Sequence, residues 1–224
     1  MDRNQLIANV ALRMDEITPT SAINIAVDGS DNNPLYALID GLVDSGVLEL
    51  FSVAPFWRLH QTKFEPANIS FKEENDRRVV RIKLNDDFLR VAEINVEGFQ
   101  RPITEVVPEQ SAEGKRQHNR WLRGKVAKPV GVVSFGLWDN ETCREIDCFS
   151  LPPKVNPSDP DPDVIATYIA KPENIGDLPS TVEDVVPPVL IPALEWLIAA
   201  RAFGARGDAN HAAICQQNAQ NLLV

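Results

Sequence analysis

The chain has 224 residues, 44% hydrophobic and 24% charged, a composition that excludes a disordered protein. A chain of this length buries a core without metals or disulfides, and its three cysteines (Cys143, Cys148 and Cys215) are too few for a disulfide scaffold. The net charge of −10 argues against a general affinity for nucleic acid, because lysine and arginine supply most non-specific binding to phosphates.

Neither a membrane span nor a secretory signal is expected. The most apolar stretch near the C-terminus, 185–203, contains three prolines and the charged residues Glu195 and Arg201, and charge near the centre of a bilayer is costly. The N-terminus carries a charge every few residues and lacks the apolar core of a signal peptide. These patterns predict synthesis in a reducing cytoplasm.

Two helices are predicted in the first part of the chain. Apolar residues from Leu6 to Met14 recur at helical spacing, and Pro19 closes the run. The polar stretch 18–33 is interpreted as a loop around a short apolar piece. A second helix is predicted to start near Pro34, and Gly46 is expected to end or interrupt it.

The middle of the chain changes to the pattern of strands. Apolar residues alternate with charged ones or are bounded by glycine and proline, which predicts strands at 79–84, 89–96, 103–107, 130–135, 144–151 and 164–170. A polar segment that is compatible with a helix, 111–123, lies between the third and fourth of these strands. Repeated prolines in 152–162 predict a turn or an extended loop.

Helices return at the C-terminus. An apolar stripe from Leu190 to Phe203 predicts one helix with Pro192 in its first turn, and Asp208 is a good N-cap for a last helix. The predicted fold class is therefore α+β. Residues 1–62 and a C-terminal helical hairpin, 183–224, form a helical core, and 63–182 form an inserted, mostly antiparallel β domain.

The sequence contains few signs of catalysis. A glycine-rich phosphate loop, a nucleophile elbow and the zinc-binding motif HExxH are all absent from it. The nearest approach to a metal site, Cys143 and Cys148 with His118 upstream, lacks the tight spacing of structural zinc. We expect no cofactor, metal or catalytic residue. A small hydrolase stays as an alternative for which no residue can be nominated.

Charge is unevenly distributed along the chain. Residues 113–128 contain six lysines and arginines against one glutamate, whereas residues 139–184 contain eleven aspartates and glutamates against three lysines and arginines. One interpretation is two solvated faces of opposite sign. The other is a pair of complementary surfaces that meet between copies of the chain.

The segment KRQHNRWLRGK, 115–125, is the best candidate for nucleic-acid binding. Arginine together with an aromatic side chain, here Trp121, stacks on bases and binds phosphates. The alternative is that these arginines pair with the acidic stretch on a neighbouring strand or subunit. The acidic balance of the whole chain favours this alternative, because DNA-binding domains normally show a dominant basic surface.

The C-terminal run VVPPVLIPALEWLIAARAFGARGDANHAAICQQNAQNLL resembles the end of head–tail connector (adaptor) proteins of tailed bacteriophages. In both, an alanine-rich apolar helix with an ARAF-like segment precedes a Gly/Asp turn and a second alanine-rich helix. The residues that carry this resemblance are Leu194, Ala199, Ala200, Arg201, Ala202 and Phe203, then Gly207, Asp208, Ala212 and Ala213. The segments DDFLRVAEINVEGFQRPITEVVPE, QHNRWLRGKVAKPV and YIAKP are similar to the β insertion of adaptor-like ring proteins of short-tailed and crAss-like phages.

The resemblance implies a structural virion protein that is made in the host bacterial cytoplasm. It implies a ring of twelve copies beneath the portal protein, with further tail or ring proteins as partners, transient contact with passing DNA and no membrane. The candidate subunit or portal interface comprises Arg116, Arg120, Trp121, Arg123, Leu194, Arg201 and Phe203. The alternative function is a small nucleic-acid-binding module that acts through 115–128.

Overall fold

A computed structural model of the chain describes residues 1–17, 34–73, 78–119, 121–138, 141–152, 156, 158–172 and 181–224. It confirms the predicted α+β class. The chain divides into a helical unit, formed by Met1–Leu59 with Lys171–Val224, and a β unit, His60–Ala170. The insertion predicted from the sequence, 63–182, extends further toward the C-terminus than the β unit. The predicted loop at 18–33 lies outside the described residues, and so does part of the loop at 152–162.

Four long helices lie in the described part of the helical unit. They are α1 (Arg3–Ile17), α2 (Pro34–Val53), α4 (Ile191–Ala205) and α5 (Ala209–Leu223). The predicted first turn of α4 is confirmed, since Pro192 lies there. The predicted cap of α5 is confirmed as well, because the Asp208 carboxylate accepts a hydrogen bond of 3.2 Å from the backbone N–H of His211.

The prediction that Gly46 ends or interrupts α2 is wrong. The helix continues through this residue to Val53. A Cβ atom at position 46 would lie 2.5 Å from Cγ1 of Ile198, so the glycine permits α2 to approach α4 closely. The glycine is a packing residue, because a normal carbon–carbon contact is about 3.5–4.0 Å.

Helix α4 is the core helix of the helical unit. Ten of its residues are buried, among them Leu194, Leu197 and Ile198. The stretch Pro188–Ala205 is long and apolar enough for a membrane span, with a mean hydropathy of 1.3, but 61% of it is buried inside the protein. Burial of this extent is typical of a core helix, which is apolar on most of its circumference.

A buried carboxylate links α1 and α4. Glu195 is 5% exposed, and its Oε1 atom accepts a hydrogen bond of 2.8 Å from Asn9 Nδ2. Its Oε2 atom lies 3.2 Å from Nε of Arg13. Both oxygens therefore have a donor, as burial of a charge requires.

The described strands of the β unit form two sheets. The smaller sheet has the order β1-β8-β4, and the larger one has the order β2-β3-β7-β6-β5. The strands are β1 (Thr62–Lys63), β2 (Ile69–Glu73), β3 (Arg78–Lys83), β4 (Phe88–Val96), β5 (Val106–Pro108), β6 (Gly131–Trp138), β7 (Glu141–Leu151) and β8 (Val164–Ala170). Among these strands, only β5 and β6 pair in parallel, so the expectation of a mostly antiparallel domain is confirmed.

Side chains of both sheets form one apolar core. It includes Val80 and Ile146 from the larger sheet and Ile94 and Tyr168 from the smaller one. On the opposite face of the larger sheet, Val79, Val132 and Phe149 form a small apolar cluster. The short helix α3 (Ala112–Gln117) precedes β6.

Candidate functional site

Two residues of the predicted interface belong to the core of the helical unit instead. Leu194 is 0% exposed and Phe203 is 3% exposed. Both lie on the continuous apolar surface of α4, where the sequence pattern alone does not distinguish a core stripe from a contact with another chain. These two residues are therefore corrected from interface to core.

Arg201, a third predicted interface residue, lies at a surface groove of the helical unit. Its Nε atom is 2.6 Å from Oε2 of Glu49 on α2, and its side chain is 39% exposed. The groove has a volume of about 420 Å³ and is lined by Glu49, Ala200, Arg201, Ala212, Ala213 and Gln216. Three of the six lining residues are alanines, and the polar lining residues come from α2, α4 and α5.

The basic segment of the β unit is partly exposed, and only its first part is helical. The predicted helix 111–123 is short, because α3 ends at Gln117 and turns follow it. Trp121 is 83% exposed and Arg116 is exposed, whereas Arg123 is half-buried and its Nη1 atom is shielded from solvent. Arg120 lies outside the described residues.

The end of α3 contacts the larger sheet through His118. The imidazole ring lies 4.8 Å from the ring of Phe149 on β7, in an edge orientation. Its Nε2 atom is 3.7 Å from Oε1 of Glu109. The sequence pattern did not indicate this carboxylate neighbour of His118. The chain that follows β5 brings Glu109 and His118 together.

Arginines of β3 meet the acidic part of the sequence. Arg81 contacts Glu145 and Asp147 on β7, and Arg78 forms an ion pair with Asp161. Both arginines precede the basic segment 113–128, which was expected to supply such partners. Pairing of β3 with β7 places Arg81 directly opposite Asp147, a register that the sequence does not specify.

These contacts form a buried polar cluster on the larger sheet. Arg81 Nη2 lies 3.1 Å from Glu145 Oε1, and Arg81 Nε lies 3.4 Å from Asp147 Oδ1. The indole N–H of Trp138 donates a hydrogen bond of 2.8 Å to Glu145 Oε2. Glu145 is 1% exposed and Asp147 is 8% exposed, so two carboxylates share one arginine away from water.

Burial determines the acidity of this cluster. The pKa of Asp147 is raised to about 6, chiefly by desolvation and in part by the neighbouring charge of Glu145, while the Arg81 guanidinium opposes both. Asp147 therefore exchanges a proton near pH 6. Gly136 on β6 leaves room for the Glu145 carboxylate, because a Cβ atom at position 136 would collide with it.

The three cysteines do not form a site. Cys143 and Cys148 are five positions apart on β7, so their side chains point to opposite faces of the sheet. Burial raises the pKa of Cys148, and it raises the pKa of Cys215 to about 11, so both are protonated thiols at neutral pH. In the described part of the chain, no three His, Cys, Asp or Glu side chains are grouped so as to hold a metal ion.

The β6–β7 hairpin carries exposed apolar side chains near its tip. Phe135 is 70% exposed and Leu137 is 69% exposed. They alternate with Gly136 and Trp138, which lie on the opposite face beside Glu145. The strand predicted at 130–135 ends at Phe135, so it did not include Leu137, and β6 continues to Trp138.

No protein-family model matches the chain, and no curated protein matches it in sequence.

Proposed function

We propose that this chain is the repeating subunit of a head–tail connector ring of a tailed bacteriophage, which joins the portal to the tail and surrounds the path of the genome. The observation that carries the proposal is the groove on the C-terminal helical hairpin. The segment with the connector resemblance, α4 and α5, supplies five of its six lining residues.

The chemistry of this groove suits a contact with another chain. Alanines at 200, 212 and 213 let a foreign backbone or apolar side chain approach closely, because they extend little beyond Cβ. Arg201 adds charge and hydrogen-bond direction at the same place. An interface with an apolar centre and an arginine beside it is the usual arrangement of a specific protein contact.

A ring requires that the groove receives a different surface of the neighbouring copy. Such a heterologous contact closes into a ring when the rotation between copies divides a full turn evenly. The net charge of −10 fits a passage for DNA, because like charge keeps a polyanion from adhering to the wall. We expect twelve copies in the ring, with the portal protein as a neighbour.

Filling the groove tests the proposal. Ala213 is exposed, so Ala213→Trp adds bulk to the groove without entering the core. Ala209→Trp, at an exposed position of the same helix outside the groove, is the matched control. We expect native mass spectrometry with the portal encoded nearby to show ring-sized complexes for the wild type and the control, and a strong loss of them for Ala213→Trp. Equal assembly of all three proteins contradicts the role of the groove.

Exposure of Trp121 favours a second function, nucleic-acid binding through 115–128. An exposed indole beside Lys115, Arg116, Lys125 and Lys128, all of them exposed, offers stacking and phosphate contacts together. Charge reversal at Arg116 and Lys125 discriminates between the two functions. If this segment is the functional site, the wild type binds single-stranded DNA in a salt-sensitive way and the charge-reversed variant does not. If the chain is a connector, the variant and the wild type do not differ in DNA binding.

A further inference from the structure

The larger sheet ends in edges of different chemical character. The outer edge of β2 carries Lys72 and Glu73, and β5 ends at Pro108. Charged residues and proline are the usual protection of a sheet edge against another strand. Strand β5 pairs with β6 only at 131–133. Among the strands that the structure describes, none pairs with the outer side of β6 at 134–138.

This half of β6 carries neither a charged residue nor a proline as protection. Its residues are Ser, Phe, Gly, Leu and Trp. Its inner side pairs with β7, from Ser134 opposite Glu145 to Trp138 opposite Glu141, so the backbone is already fixed as a strand. A short, uncharged, fixed strand of this kind is a template for β-augmentation.

The backbone groups that point outward are identified by the hydrogen bond at the start of the edge. The N–H of Glu109 donates to the carbonyl oxygen of Val133 at 3.0 Å, so the groups of Val133 face the outer side of β6. Successive residues of a strand direct their N–H and C=O groups to alternate sides. Phe135 and Leu137 therefore present their N–H and C=O groups on the open edge.

We propose that, in the free protein, this edge of β6 pairs antiparallel with the same edge of a second copy of the chain, with Gly136 opposite Gly136. In this register Phe135 of each copy lies opposite Leu137 of the other. These are hydrogen-bonded positions, so each residue donates one backbone bond and accepts one.

The self-complementary pattern is the reason for choosing a second copy as the partner. Residues that lie directly opposite each other share a face of the sheet, so the exposed Phe135 and Leu137 side chains form aromatic–aliphatic cross-strand pairs. Gly136 lies at the closely spaced central position, where the absence of a side chain removes any crowding. The strand carries no charge, so two copies do not repel each other at this edge.

This contact goes beyond the proposed ring function. A two-fold contact closes on itself as a dimer, whereas a ring needs a head-to-tail contact. The β6 pairing is accordingly a state of the free protein. It covers the open edge of β6 before the ring assembles. Its loss and the loss of ring formation are separate outcomes, because they involve different surfaces and are measured with and without the portal.

Two double variants that differ at one position test the register. Phe135→Glu places a carboxylate beside Arg144, its partner on β7, so the hairpin itself is preserved. Combined with Leu137→Lys, it sets glutamate opposite lysine across the proposed dimer. Combined with Leu137→Glu, it sets glutamate opposite glutamate. Ile165→Lys, a change at a position of β8 that is 62% exposed, is the control for loss of an exposed apolar side chain.

Sedimentation velocity of the full chain without portal, over a range of protein concentration, measures the result. We expect a concentration-dependent dimer for the wild type and for Ile165→Lys. The Glu/Glu variant raises the dissociation constant at least about tenfold, and the Glu/Lys variant stays within about threefold of the wild type, since cross-strand charge pairs change pairing by this order.

Other outcomes overturn the proposal. A wild type that stays monomeric at every concentration removes the contact, and a dimer that persists in the Glu/Glu variant locates it elsewhere. A Glu/Lys variant that dissociates as readily as Glu/Glu refutes the register. Far-UV circular dichroism and thermal unfolding of each variant verify that the fold is intact, so that a loss of association is not mistaken for unfolding.

Discussion

The two units of the chain bury carboxylates in different ways. In the helical unit, Glu195 has a hydrogen bond from Asn9 and an ion pair with Arg13, so one carboxylate has two donors. In the β unit, Glu145 and Asp147 both face Arg81, so two carboxylates share one cation. The first arrangement is neutral as a pair, and the second keeps an excess negative charge when both acids are ionised.

The difference shows that burial alone does not determine how a charge affects stability. A buried carboxylate with sufficient donors holds two elements together, and it costs several kcal/mol only when a partner is removed. A carboxylate that shares its partner costs free energy while it is ionised, and protonation relieves that cost. Helix packing in one unit and the pH response of the other follow from this contrast.

The largest expected effect is the loss of the partner of Glu195. We expect Arg13→Met to lower the free energy of unfolding by about 3 kcal/mol, because the buried Glu195 carboxylate then keeps the hydrogen bond from Asn9 but loses its cation. Urea unfolding followed by far-UV circular dichroism measures the change. Arg206→Met, at an exposed position of the same unit, is the control and is expected to shift stability by less than about 0.5 kcal/mol. Equal effects of the two substitutions would contradict the role of Glu195.

The second prediction concerns Asp147. A raised pKa means that the folded protein binds the proton more tightly than the unfolded chain, so the stabilising contribution is present below the ordinary pKa and is lost as pH rises through about 6. The rise from 3.8 to about 6 corresponds to at most about 3 kcal/mol. We expect Asp147→Asn to be more stable than the wild type at pH 8, by about 2 kcal/mol, and to lose this advantage toward pH 4.

Amide hydrogen exchange of β6 and β7 measures this effect within the β unit. Asp86→Asn removes a carboxylate from an exposed turn of the same unit and serves as the control. An advantage of Asp147→Asn that does not change with pH would show that the proton on Asp147 is not the cause.

The third prediction compares two glycines of α2. Gly46→Ala forces a methyl group against Ile198 on α4 and is expected to lower the free energy of unfolding by about 2 kcal/mol. At Gly41 an added Cβ has no heavy atom within 4 Å, so Gly41→Ala is expected to stabilise the helix by about 0.5–1 kcal/mol. Thermal unfolding measures both. Equal shifts of the same sign would refute the close approach of the two helices.

Local periodicity was sufficient to predict most elements of the fold. The spacing of Leu6 to Met14 predicted α1, and strand 164–170 was predicted with the bounds that β8 has. Strand β2 was missed, because a five-residue edge strand that ends in Lys72 and Glu73 has little apolar pattern. The prediction for Gly46 was wrong because one sequence does not distinguish a glycine that ends a helix from a glycine that permits close packing.

The candidate surfaces were less predictable than the fold. Arg201 was identified as a surface residue, but the groove around it requires Glu49, which is distant in sequence. Glu145 and Asp147 alternate with Ile146 and Cys148, which is the pattern of a strand with one solvated face, yet both carboxylates are buried. Sequence alternation identifies the two faces of a strand, and only the tertiary structure determines which of them water reaches.

We propose that copies of this chain form a ring beneath a portal. Native mass spectrometry of the purified protein mixed with the portal encoded nearby, together with negative-stain electron microscopy of the same mixture, tests it most directly. We predict a complex with twelve copies of the chain per portal ring and ring-shaped particles. A chain that remains a monomer or a dimer, unchanged in mass by the portal, would contradict the claim.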